Sequence, residues 1–136
     1  MARLVKCFLG VLMITVLVGG PLAYYRYSRT TFRNLRVVKE GVDTFDCTVP
    51  TQYARHGTAF TSSGRVEITK SKFLNDKKPL DPKCKCYTCA TYSRAYLCHL
   101  MRAKENTGGT LVTIHNLHYF QTLMANIRRD IKRGLI

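Results

Sequence analysis

The sequence predicts a small mixed α/β unit, tied together by a metal ion and preceded by an apolar segment of different character. Three observations predict it. Apolar residues recur at helical spacing twice in the C-terminal half, residues 58–73 alternate around a Ser-Gly turn, and three of the six cysteines fall within residues 84–89. The first two patterns are those of helices and a hairpin. The third is metal-ligand spacing rather than a disulfide framework.

A chain of 136 residues is long enough for one ordinary domain. Its 22 Lys+Arg stand against 8 Asp+Glu, giving a formal charge of +14. Such a balance speaks about partners, not fold. It predicts a polyanion, either nucleic acid or an anionic membrane face. Cys7 sits inside an apolar stretch and makes a poor bridge partner. A secreted disulfide scaffold is therefore disfavoured, and a reduced compartment with a metal site explains the clustering better.

From Cys7 to Tyr25 no residue is charged, and Arg3, Lys6, Arg26, Arg29 and Arg33 flank the run. Residues 7–25 reach the length of a membrane-spanning helix or fit a signal peptide. They also fit a buried element of a soluble core, or a remnant in which a frame change replaced the upstream sequence. Gly19, Gly20 and Pro21 would break a spanning helix near its end.

Thr31 to Gly41 reads as a short amphipathic helix, with Phe32, Leu35 and Val38 on one side and Gly41 as its stop. Val42 to Val49 reads as a buried strand ending at Pro50. Thr58 to Phe73 reads as a hairpin turning at Ser63-Gly64, with Val66 and Ile68 facing one way. Lys77 to Lys85 is a basic loop broken by prolines. Thr91 to Lys104 reads as a helix whose stripe is Tyr92, Ala95, Tyr96, His99, Leu100 and Ala103, ended by Gly108-Gly109. A second helix is expected from about Thr113 to Gly134, with Leu117, Phe120, Met124, Ile127 and Ile131 as its apolar stripe. Arg128, Arg129, Lys132 and Arg133 fall in its last turns, where cations suit the negative helix end.

Cys84-x-Cys86-x-x-Cys89 puts three thiolates on one tight loop. A Cys-x-Cys pair closes on itself only with strain, but wraps an ion easily. Zinc takes four ligands in a tetrahedron and prefers thiolate and imidazole. The fourth ligand must come from Cys98, His99, His115 or His118. A residue returning from a distant element would staple two elements, which favours His115 or His118 without choosing between them. Four protein ligands leave no open position, so the ion is expected to be structural.

Several blocks resemble the bacterial tRNA-guanine transglycosylase family, the queuine tRNA-ribosyltransferases. They are Gly41-Val-Asp-Thr-Phe-Asp-Cys47, Ala54-Arg-His-Gly-Thr-Ala-Phe60, Pro79-Leu-Asp-Pro-Lys-Cys-Lys-Cys-Tyr-Thr-Cys89, Tyr92-Ser-Arg-Ala-Tyr-Leu97 and Thr113-Ile-His-Asn-Leu117. They come in the family's order and place residues 35–136 within it, leaving 1–34 as an unmatched apolar segment. The resemblance implies a (β/α)8 barrel, of which this chain would be a C-terminal fragment carrying a zinc subdomain. It implies exchange of the wobble guanine of certain tRNA anticodons for a 7-deazaguanine base, queuine or its precursor. It implies that Asp46 is the nucleophile, that Cys84, Cys86, Cys89 and His115 bind zinc, and that Thr51, Gln52, Tyr53, Ala54 and Arg55 form a loop contacting the anticodon. A cytoplasmic homodimer is the family's expected setting, and a membrane enters only through residues 7–25.

The chain departs from the family in places. Gln52 stands where the family usually has arginine, which removes one cation from the RNA-contacting segment. Cys98 stands where histidine is common. A full barrel needs roughly 250 residues, and the upstream acid/base and base-recognising residues have no counterpart here. The expectation is a truncated or frame-disrupted copy, inactive alone. The alternative reading is a non-catalytic, zinc-bound RNA-binding module, tethered to a membrane by residues 7–25.

Overall fold

The structure, a computed structural model, describes residues 38–39, 41 and 47–135. The apolar segment 7–25, most of the helix expected before Gly41, and Asp46 lie outside them. Gly41 behaves as a helix stop, with φ +88° and its N–H donated to the Val38 carbonyl at 3.0 Å. Among the described residues no helix is long and apolar enough to cross a membrane.

The first full element is helix α1, Val49–Arg55. The sequence suggested that a strand ends at Pro50, but Pro50 lies in the first turn of a helix instead. Its fixed φ and missing N–H suit that position as well as they suit a strand end. Residues 51–55, expected as a loop, are therefore helical. The Thr51 hydroxyl donates to the Thr48 carbonyl at 3.0 Å. Gly57, at φ +75°, turns the chain out of the helix and into the hairpin.

Strands β1, Thr58–Thr61, and β2, Gly64–Glu67, pair antiparallel with Ala59 opposite Val66 and Phe60 opposite Arg65. Ser62-Ser63 form the loop, and Gly64 opens β2 at φ +116°. This is the expected hairpin with its turn one residue earlier. The Ile68 N–H reaches the Gly57 carbonyl at 2.8 Å, closing the base of the ribbon. Three of the four β1 residues are buried, so this strand is covered on both faces.

The second strand stops at Glu67, short of the expected Phe73, and residues 71–73 form a 3-10 turn instead; the loop expected at 77–85 follows. Arg94 pins it. Its guanidinium bonds Asp76 at 3.1 Å and the Leu80 carbonyl at 3.0 and 3.2 Å, and lies 5.7 Å from the Phe73 ring centre. The Lys78 N–H, helped by Arg94, holds the Asp76 carboxyl below its ordinary range and outweighs the opposing effect of burial.

Residues 91–104 do not form one helix. Helix α2 is Tyr87–Thr91 and helix α3 is Arg94–Arg102. The break comes at Ser93, whose hydroxyl caps α3 by accepting the Tyr96 N–H at 3.3 Å. Restarting there shifts the helical phase. Leu97 and Cys98 face the core, whereas Tyr96 and His99 are exposed.

Lys104 ends α3 at φ +59°. Its N–H reaches the Met101 carbonyl at 3.3 Å, and the Glu105 N–H reaches Leu100 at 3.0 Å. This is a Schellman ending with lysine in the left-handed place where glycine is usual. That backbone costs an L residue about 1–2 kcal/mol.

Helix α4, Asn106–Lys132, starts seven residues before the expected Thr113 and contains Gly108-Gly109 rather than following them. A Cβ on Gly108 would sit 3.0 Å from the Leu100 Cβ and 3.2 Å from the Met101 N. The glycine is there for close helix packing, not for breaking. The helix buries Leu111, Val112, His115, Asn116, Leu123 and Ile127. Of the expected stripe only Ile127 is fully buried, while Leu117 and Ile131 are exposed. The main core joins Ala54, Ala59, Ile68, Leu80, Leu97, Cys98 and Val112, all without solvent exposure.

Candidate metal centre and its surroundings

Three elements bring the ligands together. The chain leaves Asp81 into the Pro82–Lys85 loop, which presents Cys84. Cys86 is the N-cap of α2, its sulfur accepting the Cys89 N–H at 3.5 Å. Cys89 lies one turn into that helix. His115 arrives from the middle of α4. The donor atoms of Cys84, Cys86, Cys89 and His115 all lie within 4.8 Å of one another.

The His115 Nδ1 stands 3.5 Å from the Cys86 sulfur and 3.2 Å from that of Cys89. Ligands on a tetrahedral zinc, about 2.0–2.3 Å from the ion, stand roughly 3.3–3.8 Å from each other. The histidine–sulfur pairs already stand near this spacing, and the widest pair of donors, up to 4.8 Å apart, would close by about 1 Å on such an ion. On the far side of the ring, Nε2 lies 2.8 Å from the Phe60 carbonyl oxygen. A carbonyl only accepts, so Nε2 carries the proton and Nδ1 turns a lone pair toward the sulfurs.

Backbone amides surround the thiols. The Asp81 N–H points at the Cys89 sulfur at 3.4 Å, and the Cys86 N–H at the Cys84 sulfur at 3.5 Å. Burial pushes the Cys84 thiol up. Burial pushes Cys89 far higher, with the Asp81 amide opposing and the neighbouring Cys84 and Cys86 adding to the rise. Burial lowers His115, although the Phe60 carbonyl and Asp81 favour its cation. Buried thiols crowded together resist ionising until a divalent cation supplies the opposing charge. A neutral imidazole is the form that ligates.

Asp81 braces the loop from outside the ligand set. Its carboxylate accepts the Ser62 N–H and hydroxyl and the Lys83 N–H at 3.0 Å, and the Ser62 hydroxyl contact is 2.8 Å. Burial alone would raise its pKa. The Lys83 and Ser62 donors outweigh that and hold the carboxyl below its ordinary range.

Of the alternatives left open by spacing, His99 and His118 are exposed, and the buried Cys98 sulfur lies 3.7 Å from the Lys70 carbonyl. None joins the cluster among the described residues. Asn116, which the sequence offers only as part of the Thr113–Leu117 block, is the central polar group here. Its amide donates to the Pro50 carbonyl at 2.9 Å and the Thr58 carbonyl at 3.0 Å, while its oxygen accepts the Phe60 N–H at 3.0 Å. It joins α1, β1 and α4 in one residue. The available signal was a His-Asn pair inside an otherwise apolar helical stretch.

Asp46 lies outside the described residues; Cys47, next in the chain, is exposed. Within 51–55, Gln52 and Arg55 are exposed, Thr51 and Tyr53 are half-buried, and Ala54 faces the core. Tyr53 packs on Phe60 with ring centres 5.6 Å apart. The solvent side of this helix is thus made by Gln52 and Arg55.

Compared with known families, the chain matches the family described as queuine tRNA-ribosyltransferase over residues 31–136. The match starts four residues before the boundary expected at 35 and includes all four clustered ligands.

Proposed function

Because the chain belongs to the queuine tRNA-ribosyltransferase family, we propose that it serves exchange of the wobble guanine of a tRNA anticodon for a 7-deazaguanine base. The observation that carries this reading is the family match across residues 31–136, which holds the Cys84, Cys86, Cys89 and His115 cluster. Residues 35–136 read as the C-terminal part of a (β/α)8 barrel with its zinc subdomain. The strands among the described residues form one antiparallel ribbon.

In this reading Asp46 is the nucleophile. Its carboxylate attacks C1′ of the ribose as the bond from C1′ to the guanine nitrogen breaks, giving a covalent ester. The departing guanine takes up a proton. The incoming base loses one as its nitrogen attacks C1′, and the Asp46 carboxylate leaves. Two displacements restore the original configuration, as in retaining glycosidases. Helix α1 begins three residues after Asp46 and offers Arg55 and Gln52 to the anticodon, the arginine by charge and fork geometry. Thr51, Tyr53 and Ala54 support that helix. Zinc, held by Cys84, Cys86, Cys89 and His115, supplies structural cross-linking; a closed set of four ligands leaves it no chemical step.

Incubation of the chain with unmodified tRNA tests this. The reading expects a denaturation-resistant tRNA adduct with the wild type and none with Asp46→Asn. Salt-sensitive tRNA binding that is equal in both, with no adduct, would support the non-catalytic RNA-binding module instead.

A further inference from the structure

A cleft of about 620 Å3 opens between α1, the end of α3 and the first turns of α4. That volume is in the range of small-ligand sites, roughly 300–1,000 Å3. Its walls are mixed. Arg55 from α1 and Lys104 from the α3–α4 junction bring two cations; Met101 and Ile114 bring apolar surface; Asn106 and Glu105 bring an amide and a carboxylate.

Among the described residues neither Arg55 nor Lys104 forms an ion pair. Glu105, the one acidic group of the lining, is exposed, and although it is the N-cap residue of α4 its side chain makes no capping hydrogen bond. The two cations outnumber it. The lysine is also in an unfavourable backbone position. Lys104 occupies the left-handed place of the Schellman ending, where glycine would sit without strain. The fold alone therefore favours a different residue there, and the side chain is what lysine adds.

We propose that this cleft binds one nucleotide of an RNA strand, with its phosphodiester between Arg55 and Lys104 and its base against Met101 and Ile114. The proposal rests on the reading of the chain as a tRNA-binding family member, and extends the RNA surface from α1 onto the α3–α4 junction. Two cations recognise the phosphate. An apolar wall with adjacent polar groups suits a base face and its edge. A membrane surface would need a flat or convex basic face, and this one is concave. A free mononucleotide shares the chemistry but lacks the strand that continues to Gln52.

The test is fluorescence anisotropy of a labelled anticodon stem-loop RNA with the full chain, across a salt series. Lys104→Gly relaxes the backbone while removing the charge, so a folding defect cannot account for weaker binding. It is expected to weaken binding several-fold and to lower the salt slope by about one. Lys104→Arg should restore both. Ile114→Ser, at a solvent-accessible position, should weaken binding with the slope unchanged. The cleft is overturned if Lys104→Gly binds as the wild type does, or if Lys132→Gln, on the far end of α4, loses as much. A mononucleotide that competes as well as the RNA overturns the strand assignment. Wild-type chain that binds no RNA overturns this inference together with the proposed function; binding without an Asp46 adduct removes only the latter.

Discussion

The His115 Nε2–H donates to the Phe60 carbonyl oxygen at 2.8 Å, and this bond ties the candidate metal ligand to the first strand of the hairpin. It fixes which ring nitrogen faces the sulfurs. The same strand residue gives its N–H to Asn116, the next residue of α4. Phe60 thus has both backbone groups occupied by consecutive side chains of one helix. The ligand geometry depends on the docking of α4 on β1, not on the cysteine loop alone.

Asn116→Ala should accordingly be among the most damaging substitutions away from the ligands. It strands the Phe60 N–H and the Pro50 and Thr58 carbonyls, and unsatisfied buried groups cost about 1–3 kcal/mol each. A loss of about 4 kcal/mol is expected in chemical denaturation. Asn116→Asp keeps the acceptor for Phe60 but turns an oxygen toward two carbonyl oxygens, so it should also destabilise. Stability within about 0.5 kcal/mol of wild type in both would show that this triple contact is not made in solution.

Asp81 gives a pH dependence of defined sign. A carboxylate whose folded-state pKa lies below its unfolded one, about 3.9, stabilises the fold above that value and loses the contribution as pH falls through the folded one. Asp81 is depressed in this way by the Lys83 and Ser62 donors. Asp81→Asn should therefore be less stable than wild type at pH 6, by about 1–2 kcal/mol, and the difference should shrink below pH 4. Urea midpoints of both proteins, measured in chelator so that metal loss is common to them, check this. A gap that widens on acidification would reverse the assigned sign.

Gly57 is constrained twice. Its φ is +75°, and a Cβ there would stand 2.8 Å from the Thr69 Cγ2. Gly57→Ala should lower stability by about 1–3 kcal/mol through both effects. Thermal melts would reveal it, and an unchanged melting temperature would mean that the α1–β1 turn takes another path.

The hairpin, the long last helix and three of the four clustered ligands were legible in the sequence because each is local. Cys84, Cys86 and Cys89 lie within six consecutive residues, and Val66 and Ile68, two apart in the chain, both pack toward the core. Other features depend on tertiary contacts. Gly108-Gly109 read as breakers, yet Gly108 is a packing site against Leu100. The stripe through Tyr92 and Tyr96 assumed one unbroken helix, and the Ser93 cap put Leu97 and Cys98 inward instead. Pro50 read as the end of a strand when it begins a helix. His115 and His118 are equivalent by spacing; only the side on which α4 meets Phe60 separates them. The family resemblance named His115, and the structure brings it, rather than His118, to the sulfurs.

The proposed zinc site closes on four ligands and joins the cysteine-bearing segment to α4. Removing the metal should lower the melting temperature by at least about 15 °C, given a bound-ion contribution of a few kcal/mol in so small a domain. The most direct measurement is the zinc content of the purified chain by elemental analysis, compared with His115→Ala and His118→Ala. The expected result is one zinc per chain in the wild type and in His118→Ala, and little or none in His115→Ala. Zinc absent from the wild type, or retained in full by His115→Ala, would contradict the account.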